Sequence, residues 1–306
     1  MLSFRYRWLA WSSSIGMFLV LLAGAIVTKT DSGRGCGDDW PLCNGKFIPA
    51  YTLESMIEYS HRMVTGIVGV LVLLTFLYTW RYLRQHQEAL WYAGGTLLFT
   101  IIQAGMGAAA VKWPQQPAVM ALHFGISLLA VASSMLLVVW CYRMNKERHK
   151  LSSASIPKSI YPVAWGIWIY CYVVVYLGAF IRHMEAEGGC MGWPLCNGQL
   201  IPYLSGASGI VFAHRVAAAV LLILIVALYI LVHHGKSKDQ TSELRRGSVY
   251  ALVFVIGQIG SGWLLTVTIN DENRYLFASL LHNVLATALF CVLTDMAIRA
   301  WKLRAR

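Results

Sequence analysis

The stretch Trp40-Pro41-Leu42-Cys43-Asn44-Gly45 returns 153 residues later as Trp193-Pro194-Leu195-Cys196-Asn197-Gly198. Each copy has a further cysteine upstream (Cys36, Cys190) and a His-Arg pair 18 residues downstream of its cysteine (His61-Arg62, His214-Arg215). A second histidine follows in each half at the start of another apolar run, His123 in 120–130 and His282 in 279–289. Self-similarity at a fixed period means one structural unit used twice. The spacing therefore predicts a duplicated four-helix unit with two histidines per copy.

Composition identifies the solvent around that unit. Hydrophobic residues make up 58% of the 306 and charged residues 13%, too apolar for a soluble domain. A bilayer-crossing helix needs about 20 mostly apolar residues, and eight runs qualify: 9–28, 61–83, 90–111, 120–142, 161–181, 211–232, 247–268 and 276–298. None alternates as the strands of a membrane barrel would. The first run follows Arg5 and Arg7 but is long, lacks a small-residue cleavage site and has an internal equivalent at 161–181, so it reads as a helix and not a signal peptide. The fold class is an all-α integral membrane protein of eight transmembrane helices, arranged as two pseudo-repeated four-helix bundles.

Orientation follows from the basic residues. The N-terminus, the 2–3, 4–5 and 6–7 connections and the C-terminus together hold 17 of the 25 Lys and Arg. Both termini are thus expected in the cytoplasm, with the two cysteine-bearing connections outside a plasma membrane. The +11 net charge is a topology signal; a nucleic-acid partner would require a basic face on a soluble module. The polar 4–5 connection, 143–161, with Lys146, Arg148, Lys150 and Pro157, divides the chain into halves 1–150 and 151–306. The 1–2 and 5–6 connections, about 30 residues each, are long enough to be ordered caps with a role.

Cys36/Cys43 and Cys190/Cys196 are close pairs on the oxidising side, where disulfides persist. A disulfide closing so short a loop stabilises it by about 2–3 kcal/mol in the chain-entropy model. Zinc is the rival, disfavoured by the missing CxxC spacing and by the compartment; a redox-active pair is a further alternative. Cys141, Cys171 and Cys291 fall in apolar runs as packing residues.

Of the nine histidines, His86, His149, His233 and His234 are interfacial polar residues of the inner face, and His183 has no counterpart in the other half. His61, His123, His214 and His282 differ. All lie near the outward ends of even-numbered helices and correspond pairwise under the repeat. Ionisable groups in membrane spans usually face the bundle interior and mark functional sites. Two imidazoles on facing helices of a bundle are suitable axial ligands for haem iron, whereas zinc wants three or four protein ligands. Arg62 and Arg215 stand at the outer boundary, where a guanidinium can pair with a haem propionate or simply snorkel. Gly105, Gly107, Gly257 and Gly260, with Gln103 and Gln258, recur in helices three and seven as small-residue and amide contacts between helices. One feature breaks the symmetry. Glu58 lies one turn before His61, on the same helical face, while its counterpart before His214 is Val211. A carboxylate beside one site alone suits proton or water chemistry there; the alternative is a solvated interfacial glutamate.

At this point the residues resemble the haem A synthase family. The resemblance is carried by Gly24-Ala25-Ile26-Val27-Thr28-Lys29-Thr30-Asp31-Ser32-Gly33, by Gly35-Cys36 through Trp40-Pro41-Leu42-Cys43, by Glu58-Tyr59-Ser60-His61-Arg62, and by the His123, His214-Arg215 and His282-Asn283 segments. It covers essentially the whole chain and looks like the form found in Gram-positive bacteria, with a cysteine pair in each outer loop.

That resemblance implies a resident haem b held through His214 and His282 in the C-terminal half. The substrate, haem O, would bind near His61 and His123 in the N-terminal half, with Glu58 catalytic. A ring methyl would be oxidised to a formyl group through hydroxylated intermediates, giving haem A for terminal oxidases. The implied partners are the bilayer, an electron acceptor of unspecified identity and a haem O synthase. From the residues alone, the rival is a two-haem transmembrane electron-transfer cytochrome b. A transporter is weaker, because the halves share one membrane orientation and few unpaired charges cross the midplane.

Overall fold

The computed structural model of the chain describes residues 2–47, 51–113, 116–146, 157, 159–234 and 242–304; His149 and most of the 4–5 linker lie outside them. Among the described residues there are eight α-helices, α1 (Phe4–Lys29), α2 (Leu53–Tyr82), α3 (Gln87–Lys112), α4 (Pro117–Lys146), α5 (Ile160–His183), α6 (Gly206–His234), α7 (Ser242–Thr268) and α8 (Glu272–Leu303), and one 3-10 turn at Glu187–Gly189. All eight are long and apolar enough to cross a bilayer. Among the described residues, β structure is limited to two isolated bridges.

The helices start further out than the apolar runs. α2 opens at Leu53, eight residues before the run at 61, because Thr52 caps it by accepting from the Ser55 N–H and because its first two turns carry the polar residues Glu54, Glu58, Tyr59 and Ser60. Hydropathy registers lipid-facing length, whereas capping fixes the true start. Asp271 caps α8 in the same way by accepting from the Arg274 N–H. The 1–2 and 5–6 connections are correspondingly shorter than expected, 30–52 and 184–205.

Contacts divide the chain into two compact units, Met1–Lys150 and Leu151–Arg306. In the first, α1 packs on α2, α2 on α3, α3 on α4, and α4 back on α1, a closed ring in which α2 and α4 are diagonal. Hydroxyls join α1 to α2: Tyr6 Oη to Thr79 Oγ1 at 2.8 Å and Ser13 Oγ to Thr75 Oγ1 at 2.6 Å. Both threonines also donate to carbonyls of their own helix, so no buried hydroxyl is wasted where lipid offers no partner.

The second unit is likewise a ring, α5 on α6, α6 on α7, α7 on α8 and α8 on α5, with α6 and α8 diagonal. Trp168 Nε1 donates to Thr294 across α5 and α8, above the buried Phe290. In both units large aliphatic side chains such as Ile67, Ile101, Ile223 and Ile256 remain exposed, as a lipid-facing surface requires.

Candidate active site

The repeated motif folds into a latch. Asn44 (φ 50°) and Gly45 (φ 74°) both adopt positive φ, and the Cys43 and Lys46 backbones exchange hydrogen bonds at 3.0 and 3.1 Å. This is a two-residue hairpin turn with the Asn-Gly chemistry such turns demand. Asn197 (φ 54°) and Gly198 (φ 76°) repeat it between Cys196 and Gln199. The sequence signal for this turn is the Asn-Gly that follows the second cysteine of each pair. Cys36 is disulfide-bonded to Cys43, and Cys190 to Cys196, as expected. All four are buried. The other three cysteines are thiols within helices.

Each latch is pinned to the helix that carries the histidine. Ser55 Oγ donates to Gly35 O and Ser208 Oγ to Gly189 O, at 2.5 and 2.6 Å. The approach is so close that a Cβ on Gly35 would come within 2.6 Å of the Ser55 nitrogen, and one on Gly189 within 2.5 Å of the Ala207 carbonyl carbon. Arg62 Nη1 donates to the carbonyls of Asp39 and Leu42, both at 2.7 Å. Arg215 Nη1 donates to those of Gly192 and Leu195, at 2.9 and 3.2 Å. Both guanidiniums are therefore tied to the loop through Nη1, with Nε–H and both Nη2–H of each outside these bonds.

The units diverge at Glu58. It is only 4% exposed, so it is not a solvated interfacial glutamate. Its Oε2 accepts the Cys36 N–H at 2.8 Å, and its Oε1 pairs with Arg62 Nη2 at 2.5 Å. In the other unit Val211 stands at the corresponding place, and Arg215 Nη2 turns to the Cys190 carbonyl at 2.7 Å. One loop thus hangs on a carboxylate and the other on its own backbone. The carboxylate lies one helical turn from His61.

The four histidines share one setting. Each ring faces a glycine of the preceding helix: His61 faces Gly24, His123 faces Gly107, His214 faces Gly178 and His282 faces Gly262. A Cβ on those glycines would lie 3.4, 4.0, 3.0 and 3.6 Å from the Cε1 of the respective ring. Of these, the sequence marks Gly107 as a helix-packing residue; for Gly24, Gly178 and Gly262 only tertiary structure shows why a side chain is absent. His61 and His123 stand on the diagonal helices α2 and α4, His214 and His282 on the diagonal pair α6 and α8. By position along their helices, all four are near the ends that bear the 1–2, 3–4, 5–6 and 7–8 connections. Of the other described histidines, His233 Nδ1 bonds the Tyr229 carbonyl and His86 lies edge-on to Trp140.

The donor set fits a haem. Nδ1 of His61 is buried without a hydrogen-bond partner, a state that costs about 1–3 kcal/mol in a protein interior and marks a site with a use beyond packing. Among the described residues no three of His, Cys, Asp and Glu converge as a metal cage. Haem iron needs only two protein ligands, since the porphyrin supplies the rest.

Fold and site together define a polytopic helical membrane protein with a pair of histidines on diagonal helices in each unit. The chain belongs to the cytochrome oxidase assembly protein family (COX15-CtaA), whose model matches residues 7–294. It is similar to the haem A synthase of Symbiobacterium thermophilum, at 38% identity over 281 residues, 91% of this chain and 90% of the relative. It is also similar to that of Exiguobacterium sp., at 37% over 295 residues, 96% and 92% of the two chains. A third, from Geobacillus kaustophilus, is 37% identical over 299 residues, 97% of this chain and 92% of its own.

Proposed function

We propose that this chain is a haem A synthase, an oxidoreductase that converts a ring methyl of haem O to the formyl group of haem A through hydroxylated intermediates. The observation that carries the reading is the asymmetry of two otherwise equivalent sites. Both units hold glycine-faced histidines on diagonal helices, yet only the unit of His61 and His123 has a buried carboxylate one turn away. Equal sites would serve a pure electron relay. An unequal pair suits one site for chemistry and one for redox storage.

In this reading residues 1–150 form the substrate half. His61 and His123 receive the iron of haem O, and its hydrocarbon tail lies among apolar helices. Glu58 is the catalytic residue, moving a proton or positioning water at the reacting methyl, and Arg62 holds it in place while the N–H groups it keeps outside the loop bonds meet a propionate. Residues 151–306 form the resident half, with His214 and His282 as ligands to haem b and Arg215 at its propionates. Haem b, when bound, supplies one-electron redox chemistry. The electrons released leave for an external acceptor, and haem O arrives from a haem O synthase in the same membrane. The distribution of Lys and Arg supports cytoplasmic termini and disulfide loops outside the plasma membrane.

Mass-resolved haem analysis of membranes from a haem O-producing host, with and without the protein, tests the reading. Haem A or its hydroxylated precursor is the expected product. Haem O left unchanged, with the protein folded and haem b bound, would favour the electron-transfer cytochrome instead.

A further inference from the structure

α7 turns the run Gln258-Ile259-Gly260-Ser261-Gly262 toward α8. Ser261 is buried. Its O–H donates to the Gln258 main-chain carbonyl at 3.0 Å, and its Oγ lies 2.8 Å from Nδ1 of His282. A hydroxyl has a single proton. With that proton committed to a carbonyl, the contact with the ring runs the other way, and His282 Nδ1–H donates to Oγ. The neutral imidazole then carries its lone pair on Nε2. The carboxamide nitrogen of Gln258 meets that lone pair at 2.8 Å, while Gln258 Oε1 is buried with no partner.

We propose that Ser261 is a positioning residue for the axial ligand: it fixes the His282 tautomer and ring orientation and presents Nε2 to the iron of the resident haem. The proposal rests on the reading of His214 and His282 as the haem b pair. An acceptor on the far nitrogen of a ligating histidine fixes the ring and raises its basicity. The Gln258 amide donates to the lone pair that iron would take and yields it on binding. In the corresponding run of α3, Gln103-Ala104-Gly105-Met106-Gly107, a thioether replaces the hydroxyl, and Gln103 donates to the His123 main-chain carbonyl at 2.5 Å. The serine therefore belongs to the unit that must keep its haem.

The test uses the full-length protein purified from a host that makes haem b and no haem O. Transfer of haem to excess apomyoglobin and the midpoint potential are measured for wild type, Ser261→Ala and Ser261→Thr. Loss of the acceptor is expected to accelerate haem release by about 10–100-fold and to raise the potential, because a less basic imidazole favours ferric iron less. Ser261→Thr, which retains the hydroxyl, should restore both. Unchanged release and potential in Ser261→Ala would overturn the proposal. Haem loss as fast in Ser261→Thr as in Ser261→Ala would do the same, since size and not the hydroxyl would then be the cause. A wild-type protein whose haem does not respond to His214→Ala or His282→Ala would overturn the cofactor reading, and this inference with it.

Discussion

Glu58→Gln separates two things the carboxylate does. Glutamine keeps the shape but replaces one oxygen with an NH2 group. Two buried donors face that end of the side chain, the Cys36 N–H and Arg62 Nη2–H. Whichever way the amide turns, one of them meets another donor and loses its acceptor. Leaving a buried donor unsatisfied costs about 1–3 kcal/mol, a factor of roughly 5–150 in an equilibrium constant. The disulfide loop is where that cost is felt, since Arg62 still holds the Asp39 and Leu42 carbonyls. Hydrogen exchange at the Cys36 amide should therefore accelerate by the same factor, with the helices unaffected. Formyl production should fall further, by about 100- to 10,000-fold, the usual worth of a positioned acid or base. Haem b in the unit of His214 should be untouched. Full formyl production in the variant would remove Glu58 from the chemistry. Wild-type exchange at Cys36 would show that the carboxylate does not hold the loop.

Three further outcomes follow from the geometry. Gly178→Ala puts a methyl 3.0 Å from His214 Cε1, closer than side chains ordinarily approach, so haem b content per protein by pyridine haemochromogen should drop markedly, while Gly24→Ala, at 3.4 Å from His61, should reduce haem O conversion less severely. Gly35→Ala forces the loop off the start of α2, and the Cys36–Cys43 bond should become reducible under conditions that leave Cys190–Cys196 intact, read by thiol labelling and mass spectrometry. Glu185 ends α5 in a left-handed conformation (φ 52°) with the Ala186 N–H bonded back to the Ile181 carbonyl; Glu185→Gly relieves a cost of about 1–2 kcal/mol, and a thermal melt should shift upward.

Much of this was legible before any coordinates. The eight spans follow from apolar length alone, because a bilayer leaves the backbone few options. The four histidines stood out because the repeat paired them, and Glu58 because the repeat failed to pair it. What the sequence could not show was reach. Arg62 and Arg215 suggested a propionate because they stand at the boundary; that each spans 20 residues or more back to a loop carbonyl is a tertiary fact with no local trace. The burial of Glu58 is of the same kind, since it depends on where the Cys36 amide is delivered. Ser261 carried no signal because a lone serine in an apolar helix is usually a packing residue, and its worth appears only opposite the ring of His282. The starts of α2 and α6 lie outside the apolar runs for another reason: their first turns hold polar or small residues, Glu54 and Ser55 in one and Gly206 to Gly209 in the other, and are pinned to the latch through Ser55 and Ser208.

The closure of each ring has a consequence for biogenesis. α1 finds its second neighbour only in α4, and α5 only in α8. A nascent chain that has delivered three helices to the membrane therefore holds an open bundle, its α1 flank bare to lipid, with His61 present and its partner His123 still unmade. On the proposed pairing of His61 with His123, the first unit would be able to accept a porphyrin no earlier than the arrival of the fourth span. On the proposed ligand pairs the same timing recurs with α8, and loading would come in two instalments, each completed by the helix that brings the second histidine.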